Sequence, residues 1–272
     1  RDYGLTFAEH YARTGIQYQK FNTVYQLMAL KQEHPDQLAA AKTFLMVPDY
    51  LNYLLCGVAA NEYTNASTTA LVGADSKDWD DALIAMLGLP RDIFQSVKMA
   101  GTVLGHLTPE MQAKVGFDAE VILPATHDTG SAFLAVPARD EFAAYLSSGT
   151  WSLLGVENAA AITSADSCVA NFTNEGGYEY RYRYLKNIMG LWMIQSVRRE
   201  LGEQNGTRPS FPELIAAAKE AADFASCVDP NDSRFLAPTS MIAEVKAACA
   251  DTHQPKSEAK RSLGRQCFGL LG

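Results

Sequence analysis

A mixed α/β fold is predicted by three features of this 272-residue sequence. Apolar residues recur at helical spacing in the first half, as at Trp79, Leu83, Met86 and Leu87. Short apolar or β-branched runs, Val121-Ile122-Leu123-Pro124, Tyr145-Leu146-Ser147 and Thr150 to Val156, read instead as strands. Between the last two lies Ser148-Gly149, a dipeptide that favours a tight turn. Hydrophobic residues make up 47% of the chain, enough for the core of one large or two medium domains.

Taken in order, Pro35-Asp36 opens a helix that runs through Leu38 to Ala41. Phe44 to Leu55 is apolar, is interrupted by Pro48-Asp49, and stops at Gly57. Tyr63 to Thr69 is polar and β-branched, which predicts an extended loop or short strand. The helix after Asp75-Ser76 closes at Gly88 and Pro90. Val121 to Pro124 is a short buried strand delivering His127-Asp128 at its carboxyl end, where open α/β sheets bind ligands. A long helix in the second half carries Leu185, Ile188, Met189 and Trp192 on one face. Ser210-Phe211-Pro212-Glu213 is a capping box with proline in the first turn, and helices follow at Met241–Ala250 and Ala259–Leu271. Proline and charge at Val136-Pro137-Ala138-Arg139-Asp140 mark a boundary, giving domains 1–138 and 139–272. The chain starts at Arg1 without methionine and ends inside an unfinished helical pattern, so it reads as a fragment.

Charge and cysteine content exclude whole classes of function. With 23 basic and 31 acidic residues the net charge is −8, and no basic field exists to attract nucleic acid or an anionic membrane. No apolar run is long enough to span a bilayer, and no signal peptide is visible. Cys56, Cys168, Cys227, Cys249 and Cys267 form no Cys-x-x-Cys pair and are odd in number. A reducing cytosol is therefore expected, without a disulfide framework or structural zinc. Cys249 and Cys267 read as two half-buried thiols.

Two segments carry chemistry. Asp128 sits among small residues, Thr129-Gly130-Ser131-Ala132, that leave room for a substrate beside the backbone. A sugar hydroxyl is a poor nucleophile at neutral pH, so a carboxylate within hydrogen-bond reach must take its proton. His127 is placed to donate to such a hydroxyl. On the dipeptide alone, Asp128 reads rather as the cap of a helix starting near Ser131. At Ser147-Ser148-Gly149-Thr150, Gly149 permits positive φ and close approach of a phosphate, and the Thr150 hydroxyl supplies a neutral donor. An ordinary hairpin turn is the plainer reading of that tetrapeptide. A histidine-aspartate metal hydrolase is disfavoured, because His10, His34, His106 and His253 show no ligand-like spacing. A serine nucleophile is disfavoured too, since no Gly-x-Ser-x-Gly elbow surrounds Ser147 or Ser148.

The blocks Thr126 to Thr129, Tyr145 to Leu154, Asn174-Glu175-Gly176-Gly177 and Leu185 to Trp192 together resemble the FGGY carbohydrate kinase family. Gly15-Ile16-Gln17, Phe21 to Leu27, Pro48-Asp49-Tyr50, Glu62 to Ala66 and Asp229 to Asp232 with Arg234-Phe235 extend the likeness over nearly the whole chain. The resemblance implies two actin-like, RNase H-like domains closing over a cleft, here incomplete, with residues 1–138 on the sugar side and 139–272 on the nucleotide side. It implies ATP with Mg²⁺ bound through it, and a small-molecule sugar, L-rhamnulose, in a cytoplasmic enzyme. Fuculose, xylulose or glycerol kinases are the near alternatives, and a non-catalytic sugar-binding fragment is the distant one. By position, Asp128 matches the general base, and His127, Asp128 and Thr129 match the substrate loop. Asn187 matches a further sugar contact, whereas Gly149, Thr150 and Gln195 match ATP contacts. From the residues alone, Asn187 reads as a helix-start cap and Gln195 as a solvated surface position. An Asp-x-Gly phosphate loop before Arg1 and a Gly-Gly adenosine motif after Leu271 are absent, so the chain by itself is expected to be inactive.

Overall fold

The computed structural model describes residues 4–140, 142–149, 151–220 and 226–254. Helix α1 (Phe7–Thr14) opens with a reciprocal capping box between Thr6 and Glu9 and ends at Gly15, which is left-handed at φ 69°. The Gly15 carbonyl accepts from both the backbone and side-chain nitrogens of Asn174, so the turn that closes α1 is tied to a segment far along the chain. Helices α2 (Thr23–Glu33) and α3 (Pro35–Ala40) follow, the latter beginning at Pro35 as its sequence requires.

Helix α4 spans Val47–Cys56 and ends on left-handed Gly57. Pro48 and Asp49 therefore begin this helix rather than interrupt it. Proline lacks the N–H that a first turn leaves unpaired, and its fixed φ already suits a helix. Strand β1 (Asn61–Glu62) leads into α5 (Tyr63–Ala66) and a 3-10 turn at Ser67–Thr69. The expected loop or strand at 63–69 is thus helical, because the Glu62 carboxylate accepts from the Thr64 and Asn65 backbone N–H groups and caps the turn. Helix α6 is shorter than its periodicity predicts, Asp81–Met86. Asp80 caps it, and Trp79 lies outside, packed on Phe44 and Phe94.

Strand β2 (Val97–Lys98) pairs in parallel with β1. Strands β3 (Val103–His106) and β4 (Glu120–Ile122) form an antiparallel pair bracketing helix α7 (Pro109–Val115). The Val121 run is therefore an antiparallel strand with Val121 and Leu123 buried and Ile122 half exposed, not a buried strand of an open parallel sheet. Helix α8 (Asp128–Ala135) comes next. Strands β5 (Ala144–Ser148) and β6 (Ser152–Asn158) flank the Ser-Gly turn as expected. Helix α9 (Ala165–Val169) and strands β7 (Thr173–Gly176) and β8 (Tyr182–Ile188) complete a sheet in the order β5-β6-β8-β7.

The long helix expected from Leu185 starts only at Leu191, as α10 (Leu191–Asn205). Leu185 and Ile188 belong to β8. Tyr180-Arg181-Tyr182-Arg183-Tyr184 alternates with period two, and that pattern, not the helical one, governs the segment. Helix α11 (Phe211–Glu220) opens on the expected capping box, with Ser210 and Glu213 bonded reciprocally, and α12 spans Met241–Asp251. The Ala259–Leu271 helix lies outside the described residues.

The chain divides into two compact units. The first holds residues 1–145 and 155–186, the second 146–154 and 187–272, and strands β5, β6 and β8 contribute residues to both. The first unit's core is Tyr63, Leu71, Trp79, Leu83, Ile84 and Phe94 with their neighbours. The second unit's core is Met193, Ile194, Val197, Phe235, Met241 and Val245. Burying each large apolar side chain contributes about 1.5–3 kcal/mol, which lets α10 and α12 form despite polar outer faces.

Candidate active site

The loop before α8 is fixed by one buried carboxylate. Glu62 is fully buried and accepts from the backbone N–H groups of Thr64 (3.0 Å), Asn65 (3.3 Å) and Thr126 (3.0 Å). It also accepts from the hydroxyls of Thr64 (2.5 Å) and Thr126 (2.9 Å). A buried charge is tolerated only when its lone pairs are filled, and here five donors fill them. The Thr64 hydroxyl then accepts from the His127 N–H at 3.2 Å, and Ser131 Oγ donates to the Ala125 carbonyl at 2.6 Å. Residues 125–131 are therefore pinned at both ends.

On this loop the Asp128 side chain is 97% exposed. Its Oδ1 accepts from the Thr129 N–H at 2.6 Å and from the Thr129 hydroxyl at 3.4 Å. Asp128 is the first residue of α8, and His127 occupies the cap position without a side-chain cap bond. The expectation of Asp128 as cap of a helix near Ser131 is corrected: the helix begins three residues earlier. In the first turn its carboxylate sits at the positive end of the helix dipole. Thr129 is buried and acts on Asp128 from behind.

His127 is partly buried, with 22% of its side chain exposed. Its Nδ1 lies 3.1 Å from Arg183 Nη1, and its Nε2 lies 3.9 Å from Glu175 Oε2. Arg183 is the largest fully buried side chain among the described residues. Its Nε donates to the Gly176 carbonyl at 3.1 Å, and Nη1 stands 3.1 Å from Glu175 Oε2. Glu175 and Arg183 are direct cross-strand partners on β7 and β8, so the antiparallel register itself creates the ion pair. Desolvation lowers the His127 pKa first of all; Glu175, Asp128 and Glu62 pull it up and Arg183 pushes it down. A Cβ at Gly130 would touch Thr64 at 3.4 Å and Arg183 Cζ at 3.6 Å, so α8 lies directly on this pair.

In the second unit, the Gly149 N–H donates to the Trp151 carbonyl at 2.8 Å and its carbonyl accepts from the Leu191 N–H at 3.2 Å. Gly149 does not take the positive φ expected of it, and a Cβ there would meet Trp151 O at an ordinary 3.6 Å. The turn is closed instead by main-chain hydrogen bonds on both sides of Gly149. Gly190, at the cap of α10, is the glycine that packing demands: a Cβ would fall 2.3 Å from Ser152 Oγ and 2.9 Å from its N. Asn187 lies in strand β8, which corrects its reading as a helix cap. Gln195 is exposed on α10, and Thr150 lies outside the described residues.

His127, Asp128 and Thr129 are thus brought together in the first unit, whereas Gly149, Asn187 and Gln195 belong to the second. Sequence reasoning gave no role to Glu62, Thr64, Glu175 or Arg183. Each lies in or beside a block that carried the family resemblance, and the alternation at 180–184 marks Arg183 as a strand residue.

Comparison with known proteins agrees with this architecture. Residues 5–135 match the model of the N-terminal domain of the FGGY family of carbohydrate kinases, and residues 144–265 match that of its C-terminal domain. A rhamnulokinase of Halalkalibacterium halodurans is 53% identical over 261 residues, covering 96% of this chain and 55% of the relative. One from Oceanobacillus iheyensis is 51% identical, covering 96% of this chain and 54% of the relative. The chain spans about half the length of these curated relatives. A xylulose kinase structure from Rhodospirillum rubrum superposes with TM-score 0.75 at 18% identity, covering 98% of this chain and 53% of that one. The glycerol kinase of Plasmodium falciparum with ADP gives TM-score 0.66 at 14% identity, covering 82% and 45%. The fold is accordingly part of the actin-like, two-domain sugar kinase fold, and the chain belongs to the FGGY family of carbohydrate kinases.

Proposed function

We propose that the protein transfers the γ-phosphoryl group of ATP to a primary hydroxyl of L-rhamnulose, with Asp128 as general base. The observation that carries this reading is the exposed Asp128 carboxylate at the first position of α8, on a loop clamped by buried Glu62. The base must be open to the incoming hydroxyl yet rigid, because phosphoryl transfer gains most from positioning. Names of the two relatives above support L-rhamnulose over other ketoses.

In this mechanism a sugar hydroxyl approaches Asp128 Oδ2, while Oδ1 is held by Thr129. The proton moves to the carboxylate as the oxygen attacks phosphorus, and ADP leaves. His127 and Asn187 are assigned to sugar hydroxyls, and Gly149, Thr150 and Gln195 to the nucleotide. Residues 1–138 then form part of the sugar-side domain and 139–272 part of the nucleotide-side domain, in a cytoplasmic enzyme. No helix among the described residues is long and apolar enough to cross a membrane. Mg²⁺ is assigned to ATP itself. It would neutralise phosphate charge there.

The test is ADP release by a protein of the relatives' full length, given MgATP and a panel of ketoses, beside an Asp128→Asn variant. Release that depends on L-rhamnulose and collapses in the variant supports the proposal. Release with another sugar overturns the substrate, and undiminished turnover in the variant overturns the base.

A further inference from the structure

We propose that the Glu175–Arg183 ion pair is a positioning device for His127, holding its imidazole as the neutral Nε2–H tautomer so that Nε2 donates to a sugar hydroxyl. This rests on the sugar-kinase reading for its substrate, but its structural half stands without it.

A guanidinium only donates hydrogen bonds. At 3.1 Å from Arg183 Nη1, His127 Nδ1 must therefore be the acceptor and carry no proton. The neutral ring then bears its hydrogen on Nε2. That nitrogen is 3.9 Å from Glu175 Oε2, beyond hydrogen-bond length, so the ion pair leaves its N–H free to serve a ligand. Protonating the ring would set an Nδ1–H against the guanidinium, a direct clash of donors.

Four charged groups face the ring. Asp128 adjoins it on α8, Glu175 comes from β7, Arg183 from β8 and Glu62 from β1. Three are acidic and would favour an imidazolium; only Arg183 opposes it. A neutral His127 beside three carboxylates thus depends on burial and on this one guanidinium. Arg183 in turn is kept in place by its Nε bond to Gly176 and by Glu175. An imidazolium next to Asp128 would compete with the sugar for the carboxylate that must take its proton.

Proton–nitrogen NMR of the protein labelled at its histidine ring nitrogens reads this directly, with the His127 signal identified by its loss in His127→Gln. The expected result at neutral pH is an unprotonated Nδ1 and a protonated Nε2, with ring titration displaced below the ordinary histidine range. An Nδ1–H tautomer or an imidazolium at neutral pH overturns the proposal without any variant being needed. In Arg183→Met the ring should titrate at higher pH than in the unaltered protein, because the carboxylates are no longer opposed. Arg183→Lys should restore the tautomer, since lysine also only donates, and Arg183→Met combined with Glu175→Gln should shift the titration back towards lower pH. Unchanged ring signals in folded Arg183→Met overturn the proposal. In the full-length kinase, Arg183→Met should raise KM for the sugar about tenfold and add an acidic limb to the pH profile. Absence of turnover with a locked tautomer sinks the kinase reading alone, whereas turnover with an unlocked ring sinks this one alone.

Discussion

The two segments that carry the proposed chemistry are built on opposite principles. Residues 125–131 are held by buried side-chain charge, with Glu62 filled by five donors and Arg183 paired with Glu175 beneath His127. Ser148, Gly149 and Trp151 and the start of α10 show no such charges among the described residues. They are held by main-chain bonds at Gly149 and by the absence of a Cβ at Gly190. A base needs a fixed direction, which a satisfied buried network supplies. A phosphate needs room for close approach, which a residue without a Cβ supplies. Damage to the first segment should therefore appear as lost charge balance, and damage to the second as steric conflict.

The largest expected effect is on chemistry rather than folding. Asp128→Asn should lower turnover about 10²–10⁴-fold while leaving the urea midpoint unchanged, since the side chain is exposed, hydrogen-bonded to Thr129 and otherwise only 3.6 Å from His127 Nδ1. A large loss of stability in this variant would mean that Asp128 belongs to the structural network, and the contrast drawn here would fail.

Glu62→Ala attacks that network from inside. Three backbone N–H groups and two hydroxyls would lose their acceptor in a buried space. The expected cost is about 3–5 kcal/mol by urea denaturation. A cost under about 1 kcal/mol would show that water replaces the carboxylate and that charge does not organise the loop.

Asp49 gives the same region a pH signature. Its carboxylate is buried, accepts from Asn61 Nδ2 at 3.1 Å and from the Glu62 N–H at 3.2 Å, and is pushed up to about 6, chiefly by desolvation. A carboxyl whose folded pKa is raised stabilises the fold below its unfolded pKa and loses that contribution as pH rises through the folded one. Stability should therefore fall by about 3 kcal/mol between roughly pH 4 and pH 6 relative to Asp49→Asn. The variant can be accommodated, because Asn61 Oδ1 is a buried acceptor without a partner and an amide flip would present it to the new NH₂. Parallel pH profiles for the two proteins would remove Asp49 from the electrostatic account.

How much of this was legible beforehand follows the same division. The strands flanking Ser148-Gly149, the capping box at Ser210 and helix α12 follow local rules and are legible in the sequence, whereas the φ of Gly149 is not. Local signals failed where a distant partner decides. Residues 63–69 are helical because Glu62 caps them, and Glu62 is itself satisfied by Thr126, far along the chain. At 182–188 the apolar residues fit a helix, but pairing with β7 makes a strand and sets Arg183 against Glu175. The Thr126 to Thr129 block was visible as a motif, whereas its supports were not, because nothing in sequence spacing brings Glu62, Glu175 and Arg183 to His127.

The smallest expected effects come from the glycines, and they separate packing from ligand space. Gly190→Ala would drive a methyl to within 2.3 Å of Ser152 Oγ and 2.9 Å of Ser152 N. Rotating the serine relieves the first contact but not the second, which is backbone, so about 1–3 kcal/mol should be lost. Gly149→Ala meets only Trp151 O at 3.6 Å and no positive φ, so stability should stay within about 0.5 kcal/mol. If Gly149 is bare to admit a phosphate, the same alanine should raise KM for ATP in the full-length kinase while KM for the sugar holds. Equal loss of stability in both variants would mean the turn is packed like any other hairpin, and its glycine would then say nothing about phosphate.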